Sequence, residues 1–150
     1  MNTPDPTAVK KTIVVRCGLE KAFRTWTERI DAWWPKGHSL SGDPGTTIFI
    51  ENRVGGRIYE RTPGGMEHDW GEVLAWEPPD HFAYHWYLGS GPKQPTRVDV
   101  NFIGHLGGST RVEVTHCGPE LIGELWTRNN SRYDSAWEAV LPAYVVMCNP

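Results

Sequence analysis

The sequence predicts an α+β fold: one curled antiparallel sheet of about six to seven strands, wrapped on a long C-terminal helix. Three observations predict it. Short runs of alternating apolar and polar residues follow one another through the middle of the chain, the pattern of half-buried antiparallel strands. Gly- and Pro-rich turn signals separate those runs. Helical stripes of 3.6-residue period stand before the first run and after the last.

The elements follow in order. Residues 1–8 carry Pro4 and Pro6 and read as a flexible N-terminus. Val9 to Arg16 holds the β-branched run Ile13-Val14-Val15 and reads as the first strand. Leu19, Ala22, Phe23, Trp26, Ile30 and Trp33 then share one helical face, as one helix or as two with a break near Thr27, and Pro35 and Gly37 end it. His38 to Thr46 is loop. Thr46–Glu51 and Gly56–Arg61 read as strands flanking the Gly55-Gly56 turn, and Thr62-Pro63-Gly64-Gly65 is a second turn. His68–Trp76 is a longer strand closed by Pro78-Pro79. Phe82, Tyr84 and Trp86 alternate with Ala83 and His85. Gly89 to Pro95 is loop. Val98, Val100 and Phe102 alternate with Arg97, Asp99 and Asn101, and Val112, Val114 and His116 with Arg111, Glu113 and Thr115. Leu121, Ile122, Leu125 and Trp126 make a small helical stripe. Ser131-x-x-Asp134 resembles a capping box ahead of a second stripe, Tyr133, Ala136, Trp137, Val140, Leu141 and Tyr144. Pro142 lies inside that stripe and predicts a kink or an early end, because it removes one backbone bond and crowds the Glu138 carbonyl.

Composition narrows the function classes. Chain length fits one domain, residues 1–150. A net charge of −3 argues against nucleic-acid binding, which favours a basic face. No apolar stretch approaches a membrane span, and MNTPDPTAVKK has no apolar signal core, so a cytoplasmic protein without membrane partners is expected. Three cysteines without C-x-x-C spacing read as reduced thiols. Eight tryptophans in 150 residues are the most informative feature. Each ring is bulky, largely apolar and carries one N–H that needs a partner. Such a set suits an aromatic core or the wall of a pocket for a hydrophobic molecule.

Several pieces carry a family resemblance: Ala22-Phe23 before Trp33-Trp34-Pro35, Glu51-x-Arg53-x-Gly55-Gly56-Arg57, Trp70-Gly71-x-Val73, Glu77-Pro78-Pro79 with Trp86 after it, and Thr110-Arg111-Val112-x-Val114-x-His116-x-Gly118. In order and spacing they resemble the START-like, or SRPBCC, superfamily, and within it the Hsp90-ATPase-activator homologue domain group. The resemblance covers about Val9 to Tyr144 and implies a helix-grip (Bet v 1-like) fold. For function it implies carriers of hydrophobic small molecules, cyclase-like and hydrolase-like enzymes, or cochaperone domains.

His116 is the titratable residue of most interest. Strand parity puts it on the inner face with Val112 and Val114, where an imidazole could orient a ligand or act as acid–base, or simply hold the junction at Gly118. His81 and His85 lie roughly 13 Å apart along one strand face, too far for one ion, and with no H-x-H or H-E-x-x-H motif around them, His38 or His68, neither metal nor cofactor is expected. Glu51, Arg53, Arg57, Glu60 and Arg61 form a charge-dense patch, either a surface ion-pair ladder or, through Arg57, an anchor for a ligand carboxylate. Adjacent residues of a strand face opposite ways, which argues against a Cys117–His116 dyad, and no serine sits in a G-x-S-x-G elbow. No catalytic residue is therefore assigned. Trp26 and Phe23 read as core, Trp76 and Trp126 as rim. Trp34, Arg57, Trp70, Tyr84, Trp86, His116, Tyr133 and Trp137 are the expected ligand-binding set, lining a cavity between sheet and last helix. The expected function is binding of a small apolar or amphipathic molecule. The alternatives are an enzyme of cyclase or hydrolase type with His116 as acid–base, and an Hsp90-type cochaperone. A homodimer through exposed aromatics is compatible with all three.

Overall fold

The computed structural model describes residues 8–36, 38–39, 41–87, 96–118 and 123–149, with side chains from residue 132 onward in the final helix. Seven strands form one antiparallel sheet: β1 (Val9–Val15), β2 (Thr47–Ile50), β3 (Arg57–Arg61), β4 (Glu67–Glu77), β5 (His81–Trp86), β6 (Thr96–Gly104) and β7 (Thr110–Cys117). Their order is β1-β7-β6-β5-β4-β3-β2. β2 to β7 is thus a meander, and β1 returns to pair with β7, Val9 opposite His116 and Val15 opposite Thr110. Register shifts at Ile58/Tyr59 and Val73/Ala75 add local twist to a sheet curved into a half-barrel.

Three helices cover the sheet: α1 (Leu19–Thr27), α2 (Ile30–Trp33) and α3 (Gly123–Cys148). The first stripe does break after Thr27. The Thr27 hydroxyl bonds the Phe23 carbonyl at 2.9 Å, a competing local bond of the kind β-hydroxyl residues offer helical backbone. Two expectations for the last helix are corrected. Ser131 and Asp134 lie inside α3, not at its start. No proline or glycine separates Gly123 from Leu141, so the chain from Gly123 runs into the second stripe as one helix. Of the two outcomes expected at Pro142, a kink or an early end, the early end is excluded, because the helix continues to Cys148. Residues 1–7 and the loop 88–95 lie outside the described residues, as do Leu121, Ile122 and the side chains of Leu125 and Trp126.

The core is one cluster. Phe82, Tyr84, Trp86, Val98, Val100, Phe102, Val112 and Val114 bury the inner face of β5–β7 against Phe23, Trp26 and Trp33 from the first two helices, Trp34 just after them, and Trp137, Val140, Leu141 and Tyr144 from α3. Alternation in β7 is complete: Thr110, Val112, Val114 and His116 are buried, and the residues between them are half-exposed. Trp76 is partly buried at the edge of this cluster, its ring 5.2 Å from Phe23.

Candidate functional site

Antiparallel pairing brings the start of β4, the end of β5, the start of β6 and the end of β7 to one end of the sheet, where Gly71 pairs with Trp86, Trp86 with Thr96, and Val98 with His116. One row inward, Val73, Tyr84, Val98 and His116 lie side by side across the inner face. From above, Trp34 follows α2, and its ring stands 5.4 Å from Trp70, 5.7 Å from Trp86 and 6.4 Å from Trp137. Tyr84 packs on Trp86 at 5.5 Å, and Tyr133 meets the His116 ring at 4.6 Å. All the expected ligand-binding residues except Arg57 therefore join one aromatic wall.

His116 is the polar centre of that wall and is 0 % exposed. The Trp137 indole donates to His116 Nδ1 at 3.0 Å. An indole nitrogen only donates, so Nδ1 accepts and the imidazole proton sits on Nε2. Nε2 then donates to the Thr96 hydroxyl at 2.7 Å, and Thr96 donates to the Trp86 carbonyl at 3.2 Å. The relay Trp137–His116–Thr96–Trp86 is directional and ties α3 to β5, β6 and β7. Burial pushes the His116 pKa down to about 3, so the ring is neutral at physiological pH. Such a ring fixes geometry; it is not poised to exchange protons near neutrality. Sequence reading did not single out Thr96. The alternation Thr96-x-Val98-x-Val100 held the signal, since it puts the hydroxyl on the inner face.

Glu60 is a second residue placed differently from the expectation. It was grouped with the surface charges, yet it is 0 % exposed. The Trp70 indole donates to its Oε1 at 2.7 Å and the Ser41 amide to its Oε2 at 3.3 Å. A buried carboxylate needs such donors to offset lost hydration. Glu60 thereby ties the segment after α2 to the aromatic wall. The pattern Ile58-x-Glu60 in β3 carried this information, because both must share a face.

Arg57 lies on the opposite face of β3, its side chain 42 % exposed. Its guanidinium stacks 4.1 Å from the Tyr59 ring and bonds Asp69 at 2.8 Å and Glu67 at 3.3 Å. Arg61 joins Glu67 at 2.8 Å. This is the ion-pair ladder, and each exposed pair in it is worth little. Partner carboxylates hold the Arg57 and Arg61 pKa values above the usual range, and Arg61 in turn lowers that of Glu67.

His81 bridges Glu77 at 2.8 Å and Asp99 at 3.0 Å. Burial lowers its pKa, but hydrogen bonds to Asp99 and Glu77 outweigh that, and the net shift is upward. Among the described residues no group of three or more His, Cys, Asp or Glu could hold a metal ion. None of their helices is long and apolar enough to cross a membrane.

An anthrahydroquino-gamma-pyrone synthase, Txn09, solved as a complex with SUM, is 31% identical over 75% of this chain and 79% of its own, with a TM-score of 0.55. DynU16, a putative protein of the dynemicin biosynthetic locus, is 19% identical over 95% of this chain and 46% of its own, with a TM-score of 0.66. The Aha1 dimer from Colwellia psychrerythraea is 17% identical over 94% and 95%, with a TM-score of 0.65. The last two likenesses concern the fold alone. No curated protein matches the chain. The family described as Activator of Hsp90 ATPase homolog 1-like protein matches residues 16–142. With its helix-grip sheet and closing C-terminal helix, the chain belongs to this family, within the START-like (SRPBCC) proteins.

Proposed function

We propose that the protein binds a small hydrophobic molecule with aromatic character between the sheet and α3, at the end of the fold where Trp34, Trp86, His116 and Trp137 meet. One observation carries the reading: tryptophans of β4, β5 and α3 gather around Trp34, which follows α2, and the α3 member, Trp137, is hydrogen-bonded to a neutral imidazole. Apolar walls with few fixed polar groups are the usual make-up of small-molecule sites. The 31% identity to a synthase that makes an anthrahydroquino-gamma-pyrone supports a polycyclic aromatic skeleton. Tryptophans within a ring's width of the ligand make emission quenching a direct readout. Titration with tricyclic aromatics such as 9-fluorenone should quench emission saturably and raise the melting temperature. A panel that does neither overturns the reading.

A cyclase-type enzyme is the second reading, favoured by the same relative. The relay suits it only in a positioning role, with His116 holding Trp137 and Thr96 in place while the substrate supplies the reacting groups. Turnover that survives His116→Gln with raised KM fits positioning; turnover abolished with KM unchanged fits chemistry at the ring. A homodimer has support from the dimeric Colwellia relative, and sedimentation velocity tests it. A cochaperone role rests on the family description alone, and stimulation of an Hsp90-type ATPase tests it.

A further inference from the structure

Most polar side chains turned into the core are bonded. Among the described residues the Tyr84 hydroxyl has no hydrogen bond, as is also true of the Thr25 hydroxyl and the Trp26 and Trp86 indoles. Of these it is the hydroxyl set in the wall where Trp34, Trp86 and Trp137 meet. Trp33 donates to the Thr25 carbonyl at 2.8 Å, Trp34 to the His38 carbonyl at 2.7 Å, Trp70 to Glu60 and Trp137 to His116. The Tyr144 hydroxyl donates to the Ala22 carbonyl at 2.7 Å. Thr110 donates to the Cys17 carbonyl at 2.8 Å. The Tyr84 side chain is as deeply set, 2 % exposed, yet among the described residues its hydroxyl has no hydrogen-bond partner. It is not sealed off either. Among the described residues the sealed side-chain polar atom without a hydrogen bond is Arg111 Nε, itself 3.6 Å from the Glu113 carboxylate, so Tyr84 Oη borders space that a water-sized sphere can enter. A buried hydroxyl left unbonded loses its hydration without return, and native interiors rarely tolerate that without a water or ligand as the missing partner.

The surroundings narrow what that partner is. Phe82 stacks on Tyr84 at 5.3 Å, Trp86 meets its edge at 5.5 Å, and Val73 and Val98 flank it in the neighbouring strands. These walls offer no polar atom from their side chains apart from the Trp86 indole. The nearest other polar side chain in the row is His116, whose ring nitrogens are already engaged by Thr96 and Trp137. Burial, with the Asp99 carboxylate adding to it, drives the Tyr84 pKa far above the ordinary phenol value. The hydroxyl therefore stays neutral and can both donate and accept.

We infer that Tyr84 is the specificity-determining residue of the binding site, hydrogen-bonding a carbonyl or hydroxyl oxygen that the ligand carries at its buried end. The inference rests on the ligand-binding reading above. The site so formed takes an oxygenated aromatic molecule in preference to the parent hydrocarbon, because only the former completes the hydroxyl's bonding. Rejection of the analogue lacking the polar atom is the stronger form of selectivity that hydrogen-bonding sites achieve.

Two probes of one skeleton test it: 9-fluorenone, with one carbonyl, and fluorene, with none. Wild type should bind fluorenone at least about tenfold more tightly, the worth of one well-made neutral hydrogen bond. Tyr84→Phe should bring the two affinities within about twofold, by weakening fluorenone and leaving fluorene unchanged. Ligand-free Tyr84→Phe should melt no lower than wild type, since the variant removes an unbonded hydroxyl and keeps the ring. A preference that survives Tyr84→Phe overturns the inference while leaving ligand binding intact. A melting point several degrees lower also overturns it, by revealing a protein partner for the hydroxyl. Wild type that binds neither probe overturns the ligand-binding reading itself.

Discussion

Acid should loosen this protein through His116 in a calculable way. The ring's pKa is about 3 in the folded protein, lowered by burial, against about 6.5 in an unfolded chain. Below pH 6.5 the unfolded state binds a proton that the folded state refuses. Stability from this group is therefore complete above pH 6.5 and is lost as pH falls toward 3. Between pH 8 and pH 5 the unfolded pKa is overtaken by about 1.5 units, which at 1.36 kcal/mol per unit is about 2 kcal/mol. His81 has the opposite sign. Its folded pKa is raised by Asp99 and Glu77, so its contribution is complete below pH 6.5 and is lost as pH rises through the folded value. Comparing wild type with His116→Gln cancels His81 and every other group. Urea unfolding followed by tryptophan emission at pH 8, 7, 6 and 5 supplies the measurement. The wild-type loss between pH 8 and pH 5 should exceed that of the variant by about 2 kcal/mol. Parallel pH dependences, or an imidazole that titrates near 6.5 in the folded protein by NMR, would refute the neutral, doubly bonded ring.

Three further perturbations probe the scaffold around it. Thr96→Val keeps the shape but deletes the link between His116 and the Trp86 carbonyl; a loss of about 2–3 kcal/mol is expected, a melting shift of roughly 4–12 °C by calorimetry. Gly71→Ala would put a Cβ 1.9 Å from the His85 carbonyl oxygen, a clash with backbone that cannot rotate away, so a loss above about 2 kcal/mol or failure to fold is expected. Pro142→Ala acts the other way. The residue is exposed within α3, so alanine restores a backbone bond at no packing loss, and a gain of up to about 3 kcal/mol in denaturant unfolding is expected.

The fold was legible because its signals are local and periodic. Every described strand falls on a segment read as a strand, the last three on clearly alternating runs, and the break after Thr27 is one of the two readings the first stripe offered. Half of the site was legible for the same reason: parity alone puts Tyr84, Trp86 and His116 on one face. The errors have physical causes. Ser131-x-x-Asp134 matches a cap by residue type, but a cap also needs the chain before it to leave the helix, and nothing there breaks it. Glu60 was misread because charge was weighed above position; alternation with Ile58 outranks the usual preference of a carboxylate for water when indole and amide donors are at hand. The Trp137–His116–Thr96 relay was not legible at all, since it joins residues brought together only by sheet register and helix docking.

The two ends of the sheet satisfy their polar groups differently, and the difference bears on where function can reside. Around α1 and the end of α3, Trp26 packs 5.2 Å from Trp33 and 5.0 Å from Tyr144, and Phe23 lies 5.2 Å from Phe102. Tyr144 and Trp33 close there on backbone, on the Ala22 and Thr25 carbonyls. Burial, with the Cys148 thiol beside it, pushes Cys17 up to about 11, so even its thiol is inert there. Bonds to backbone carbonyls leave little to rearrange. At the other end Trp34 and Thr96 also bond backbone carbonyls, but Trp70 to Glu60 and Trp137 to His116 to Thr96 run from side chain to side chain, and each of these can be exchanged by a rotamer change without unfolding a helix. Trp26 spans the two, its ring also 6.0 Å from Trp137. A ligand that displaces Trp34 or Trp137 would therefore disturb a replaceable network at one end while the interlocked rings of the other hold α3 on the sheet. Emission changes on ligand addition should accordingly come without loss of far-UV helicity, and loss of helicity would show that the two halves open together.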